Sequence, residues 1–228
     1  MRILAKGNSK RSEELKQKLS LLDFEVNYID ENTTFILNDD NFDAIFDLNF
    51  DDNDQSSFLD YGNLRNTPVF ISAVKNSLAQ MVFEKNANIQ FPLFGINSIE
   101  TFLNRNLLEV SMLNASNEQL LIATLGKLNW EYKLVKDRVG MVTPRVVCML
   151  INEACYTLQE GTASMADIDI SMKLGTNYPF GPFEWADKIG IKNVYEILEN
   201  LYNDTKDERY KICPLLKTHY LLKQNFNF

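Results

Sequence analysis

The sequence predicts an α/β half followed by an all-α half. Short apolar runs alternate with helical patterns as far as Asp137, and beyond Asp137 only helical periodicity continues. With 228 residues and 45% hydrophobic content, the chain can hold one large domain or two smaller ones. The change of character divides it into residues 1–136 and 137–228.

In the first half the strand candidates are Arg2 to Ala5, Phe24 to Ile29, Ala44 to Leu48 and Val69 to Ser72. Helical patterns fit Ser9 to Leu22, Ala73 to Glu84 and Asn117 to Leu128. Strand and helix in alternation suggest a parallel sheet with crossover helices. Phe91 to Ile96 and Leu107 to Met112 are further strand candidates, with no convincing helix between them.

In the second half Val147, Leu150, Ile151, Ala154 and Leu158 recur at helical spacing, and Gly161 closes that run. Ser164 reads as the N-cap of the next helix, with Asp167 as the acidic partner of a capping box; Gly175 is its predicted stop. Pro179, Gly181 and Pro182 make Tyr178 to Pro182 irregular. Val194 to Tyr202 and Pro214 to Leu222 read as two more helices. No internal repeat or extended low-complexity segment stands out.

Charge narrows the function classes. Thirty-one acidic against 23 basic side chains give a net charge of -8, which argues against a general nucleic-acid or anionic-membrane surface. The acidic stretch from Asp39 to Asp54, broken by the Ala44 to Leu48 strand, is expected to face solvent. No apolar run reaches the roughly 18 residues that a membrane span requires. The start reads straight into a strand without a leader pattern. Cys148, Cys155 and Cys213 read as buried, reduced thiols of a cytoplasmic protein, with no metal site.

The helical half carries a family resemblance. Asp137-Arg-Val-Gly-Met-Val-Thr-Pro-Arg145, Asn152-Glu-Ala, Glu160-Gly-Thr-Ala-Ser-Met-Ala-Asp-Ile-Asp169, Lys173-Leu-Gly175 and Pro179-Phe-Gly-Pro-Phe-Glu-Trp-Ala-Asp187 stand in order. Together they resemble the C-terminal domain of the 3-hydroxyacyl-CoA dehydrogenases, and the likeness reaches about Leu222. Taken alone, a Pro/Gly turn between helices is more often structural. The resemblance implies a Rossmann-like nucleotide-binding domain followed by a helical domain that dimerises and closes over an acyl-CoA substrate, with NAD as cofactor. Against that pattern the stretch after Asp30 is short, where the family inserts a helical hairpin that helps hold coenzyme A. The family's glycine-rich, aromatic ending is replaced by Asn225-Phe-Asn-Phe228.

A dinucleotide loop uses glycines for a tight turn, for close approach to pyrophosphate and for helix-sheet packing. The family's glycine positions correspond to Gly7, Ser9 and Ser12, so only the first is kept. Asp30 matches the acid that binds the adenine ribose. The helix N-terminus offers free amides and partial positive charge to an anion, and Lys10 and Arg11 could add to it. Two readings stay open: weakened or altered nucleotide binding, and an ordinary strand-turn-helix connection with solvated Lys10 and Arg11. NAD binding is expected to be weak or absent.

Oxidising a secondary alcohol requires a group that takes the hydroxyl proton as hydride leaves, and a neutral imidazole oriented by a carboxylate suits that task. The family uses such a His-Glu pair. Leu107-Leu-Glu-Val110 supplies Glu109 at the glutamate position, whereas Gly95-Ile-Asn97 places Asn97 where the histidine belongs. A carboxamide forms hydrogen bonds but does not titrate near neutrality. The chain's one histidine, His219, falls in the last helix and reads as a surface or interface residue. Two supporting positions also differ: Pro144 replaces an asparagine, and Asn76 aligns with a substrate-contacting serine. Glu109 also has a bland reading, a strand carboxylate paired with lysine or arginine.

Three functions follow. One is a binding or scaffold homologue in acyl-CoA metabolism (fatty-acid or butanoate) with hydride transfer lost or strongly impaired. The alternative is an active NAD-dependent 3-hydroxyacyl-CoA or 3-hydroxybutyryl-CoA dehydrogenase. The third is acyl-CoA binding with slow lyase chemistry. A homodimer through the helical domain is the expected assembly.

Overall fold

The computed structural model describes residues 1–33, 37–39, 41–53 and 56–227. Asp40 and Asp54 of the acidic stretch, and Phe228, lie outside the described residues. The chain divides into two compact units, Met1–Met141 and Val142–Phe228. That division falls a little beyond the sequence reading at Asp137. The reason is local: the Asp137 carboxylate accepts hydrogen bonds from the Leu78 and Ala79 amides at 2.7 and 2.9 Å, which ties the connector to the first unit.

The first unit is a seven-stranded sheet with helices between its strands. In chain order the elements are β1 (Arg2–Lys6), α1 (Ser9–Leu19), β2 (Glu25–Ile29), β3 (Ala44–Asp47), β4 (Val69–Ser72), α2 (Leu78–Glu84), β5 (Leu93–Ile96), β6 (Leu107–Met112), α3 (Glu118–Lys127) and β7 (Glu131–Leu134). The spatial order is β2-β1-β3-β4-β5-β6-β7. Neighbours are parallel except β5 and β6, which are antiparallel. That reversal explains why no helix pattern separates the two strands: an antiparallel pair needs no crossover. Strand β7 has no counterpart among the strands the sequence predicts. Its residues are mostly exposed, so it lacks the buried apolar run that marks the inner strands.

Phenylalanines hold the middle of the sheet. Phe46, Phe70 and Phe94 occupy matched positions on β3, β4 and β5, with ring centroids 4.9 and 5.1 Å apart in stacked geometry. All three are fully buried, each worth roughly 1.5–3 kcal/mol in transfer from water. Leu15 and Leu19 of α1 and Leu121 and Leu125 of α3 belong to the same core.

Helix starts follow from caps. Asn8 caps α1 through the Arg11 amide at 3.0 Å, and Ser77 caps α2 through the Gln80 amide. The predicted helix from Ala73 begins only at Leu78, because the amides of Val74 and Lys75 are taken by the Asp51 carboxylate at 2.6 and 2.7 Å.

The second unit is all helix: α4 (Thr143–Gln159), α5 (Met165–Thr176), α6 (Pro182–Ile189), α7 (Ile191–Thr205) and α8 (Pro214–Leu222). The Ser164 hydroxyl accepts from the Asp167 amide as the capping box predicts. The α5 helix runs past Gly175 to Thr176, where Asn177 turns left-handed at φ 56°. Helix α6 lies where Pro182 predicts a break; at the first turn of a helix proline loses nothing. Val147, Ile151, Phe183, Ile189, Val194, Ile197 and Leu201 form apolar faces buried within this unit. Cys148, Cys155 and Cys213 are buried thiols outside any disulfide, and burial pushes that of Cys155 well up. Among the described residues no helix is long and apolar enough to cross a membrane.

Candidate functional site

In an open sheet of this kind, ligands bind outside the carboxyl ends of the strands where the strand order reverses. Here that point lies between β1 and β3, at Lys6 and Asp47. The turn Gly7–Asn8 leads into α1. Gly7 is buried, Asn8 and Ser12 are half-buried, and Ser9 and Lys10 are exposed. A Cβ on Gly7 would stand 3.0 Å from the Leu48 Cβ and 3.3 Å from the Asn49 Oδ1. The missing side chain at Gly7 therefore makes room for the protein's own backbone after β3.

The amides of the turn also have partners within the chain. Gly7 donates to the Ile29 carbonyl at 3.1 Å, and Asn8 donates to the Asn49 Oδ1 at 2.8 Å. Asp30, at the end of β2, is exposed; its Oδ1 accepts from the Asn32 amide and side chain at 2.9 and 3.0 Å.

Arg11 departs most from expectation. Instead of being solvated, it is 0% exposed. Its guanidinium donates to the Leu48 carbonyl at 2.6 Å and to Glu100 at 3.3 Å, and pairs with Asp52. Asp52 also pairs with Lys75, which is itself buried. Burial alone would lower the Arg11 pKa, but Asp52, Glu100 and Asp51 together hold it above its ordinary value.

A second cluster adjoins the first. Lys6 lies 3.7 Å from Asp47 and 3.5 Å from Asp60, and the Tyr61 hydroxyl donates to Asp47 at 2.7 Å. Burial pushes Asp47 up to about 6 despite the opposing pull of Lys6 and Tyr61. The acidic stretch was expected to face solvent. Asp47, Asp51 and Asp52 instead turn inward, because each meets a cation or a row of amides that a surface position would lack. The Gly7 and Asn8 amides and the Arg11 guanidinium, groups that a dinucleotide could meet at this crevice, already have partners within the chain.

Asn97 and Glu109 are brought together by the sheet. The antiparallel register pairs Gly95 with Ser111 and Ile96 with Val110, and the Asn97 amide donates to the Glu109 carbonyl at 3.3 Å. Residues directly opposite on such a ladder share a face. Asn97 is 3% exposed and Glu109 8%. Among the described residues the buried Asn97 carboxamide oxygen has no hydrogen-bond partner, a position where a polar atom usually costs about 1–3 kcal/mol. The next residue, Ser98, donates to the same Leu48 carbonyl that Arg11 uses, at 2.8 Å.

The other aligned positions belong to other elements. Asn76 is half-buried in the turn before α2. Pro144 is buried in the first turn of α4, in the second unit. His219 sits on α8, its ring 4.2 Å from Phe226 and its Nδ1 3.3 Å from the Gln224 carbonyl.

In the helical unit the motif residues act on the fold. Asp169 is fully buried and accepts from the Phe183 and Glu184 amides at 2.8 and 3.0 Å, so it caps α6. A Cβ on Gly181 would lie 2.2–2.5 Å from that carboxylate group. Asn152 donates to the Lys211 carbonyl and accepts from the Cys213 amide, both at 2.8 Å, and so fixes the entry to α8.

The profile of the family "3-hydroxyacyl-CoA dehydrogenase, C-terminal domain" matches residues 140–225. Over 92 residues (40% of this chain) the sequence is 44% identical to the 3-hydroxyadipyl-CoA dehydrogenase of Escherichia coli strain K12, covering 19% of that protein. The sequence likeness to the 3-hydroxyacyl-CoA dehydrogenases thus lies in the helical unit, where it is similar to their C-terminal domain. Over 95 residues (42% of this chain) it is 39% identical to a 3-hydroxybutyryl-CoA dehydrogenase of Bradyrhizobium diazoefficiens, covering 31% of that protein. The matches thus span about a fifth to a third of these relatives. The fold as a whole is similar to that of the (S)-3-hydroxybutyryl-CoA dehydrogenase of Ralstonia eutropha, with a TM-score of 0.70 over 97% of this chain and 94% of that one at 19% identity. At that identity the likeness bears on the fold alone: a Rossmann-like sheet followed by helices. The sequence likeness is therefore confined to the helical unit, and the likeness of the first unit is one of fold.

Proposed function

We propose that this family member has lost hydride transfer, or retains it only strongly impaired, and serves as a binding or scaffold homologue in acyl-CoA metabolism. One observation carries the reading. Asn97 stands opposite Glu109 on the β5–β6 ladder, where the resemblance calls for a histidine. Ketone reduction delivers hydride to carbon and a proton to oxygen; oxidation returns both. Asn97 can polarise a carbonyl through its amide, but it cannot store the proton. Loss of a general base slows turnover by roughly 10²–10⁴. Weak or absent NAD binding belongs to the same reading.

The test is an assay of the purified chain with NADH and acetoacetyl-CoA, followed by loss of nicotinamide absorbance. Turnover is expected to stay well below about one per second, the low end of ordinary enzyme rates. Turnover above that rate would instead support an active 3-hydroxyacyl-CoA dehydrogenase, the second reading, which Glu109 at the family's glutamate position favours.

The helical unit is proposed to form a homodimer. Val146 on α4 is 58% exposed, and Ile170 and Leu174 on α5 are 56% and 82% exposed. An isologous contact would cover such apolar side chains. Sedimentation at tens of micromolar is expected to give twice the chain mass of 26.3 kDa. A purely monomeric boundary would remove this assembly from the proposal.

A further inference from the structure

We infer that the segment from Leu48 to Asn53 is a built-in occupant of the dinucleotide crevice, its side chains standing where a ligand's pyrophosphate would otherwise be bound. The segment reaches the carboxyl end of four strands. After β1, the Asn49 Oδ1 takes the Asn8 amide at 2.8 Å, and the Leu48 and Asn49 side chains fill the space left by Gly7. After β2, the Asn53 Nδ2 donates to the Glu31 carbonyl at 3.1 Å. After β4, the Asp51 Oδ2 accepts the Val74 and Lys75 amides. After β5, the Leu48 carbonyl accepts from Ser98. Asp52 supplies the negative charge and sits between Arg11 and Lys75.

The chemistry of the contacts identifies what the segment replaces. Backbone amides at a helix start, a buried guanidinium and a buried ammonium form a phosphate-binding donor set. Here that set is matched by a carboxamide oxygen and carboxylates of the same chain. An exposed acidic loop meeting one stray cation would be an ordinary surface pair. This one is tied down at both flanks, and its two cations are buried to 0% and 2% exposure. A dinucleotide could enter only by displacing the segment and leaving Asp51 and Asp52 to find other partners. The inference extends the proposed loss of hydride transfer, but it concerns binding and is read separately from turnover.

The experiment titrates NADH, by fluorescence, and inorganic pyrophosphate, by calorimetry, into the full chain and into the double variant Asn49→Gly/Asp52→Asn. The unaltered chain is expected to show no saturable binding of either. The folded double variant should bind both at least about tenfold more tightly, and adding Lys75→Met should reverse the gain. Saturable NADH binding by the unaltered chain at tens of micromolar would overturn the inference. So would a double variant with native circular dichroism and no gain. Should that variant not fold, hydrogen exchange of the unaltered chain decides: pyrophosphate is expected to leave the amides of Asn8 and 49–53 unchanged, and protection there counts against the occupant. Binding without turnover sinks this inference alone, whereas turnover sinks the functional reading.

Discussion

Gly181→Ala is expected to destabilise the helical unit by about 2–5 kcal/mol. A Cβ at this position would meet the Asp169 Cγ at 2.2 Å and its Oδ2 at 2.4 Å. The carboxylate is buried and cannot swing aside without releasing the Phe183 and Glu184 amides. Overpacking alone costs about 1–3 kcal/mol, and loss of the α6 cap adds roughly 1–2 kcal/mol. Denaturant unfolding followed by tryptophan fluorescence checks this, since Trp185 lies on α6. A variant within about 1 kcal/mol of the parent would mean that α6 starts without Asp169. The same geometry gives the Pro179 to Pro182 motif a mechanical reason: it delivers a side-chain-free residue to a buried carboxylate, then a proline to the first helical turn.

Arg11→Met is expected to cost about 3–5 kcal/mol in the first unit, because it leaves Glu100 and Asp52 without the guanidinium they share. Methionine fills similar volume, so the loss would be electrostatic. Breaking one partner of a buried pair is far more damaging than replacing the whole group with apolar or neutral residues. The triple variant Arg11→Met/Asp52→Asn/Glu100→Gln should therefore recover part of the loss. Urea midpoints at an unchanged slope would measure both effects. If Arg11→Met alone moves the midpoint by less than about 1 kcal/mol equivalent, the network is effectively solvated and the closed crevice loses its main support.

Parts of this architecture were legible because neighbours in sequence carry them. The strands Arg2–Lys6, Ala44–Asp47 and Val69–Ser72 are short buried runs between turn signals, and the Ser164 cap depends on residues a turn apart. The Asn97 and Glu109 positions were also readable, through the family resemblance, although only the antiparallel β5–β6 register places them face to face. Other elements left weak traces. Strand β7 is an exposed edge piece without a core pattern, and α6 opens on a proline that reads as a stop.

The charged residues were the hardest to place. Lys and Arg beside a turn, or Asp in a row, look alike in sequence whether they face water or each other. The composition and local patterning of this chain determined two units and the order of most elements, while the resemblance implied that Asn97 stands where a histidine is expected. Only the tertiary structure decided that Arg11, Lys75, Asp51 and Asp52 converge at the strand ends. Their pairing joins residues far apart along the chain, and its strength depends on burial, which no local window of sequence encodes.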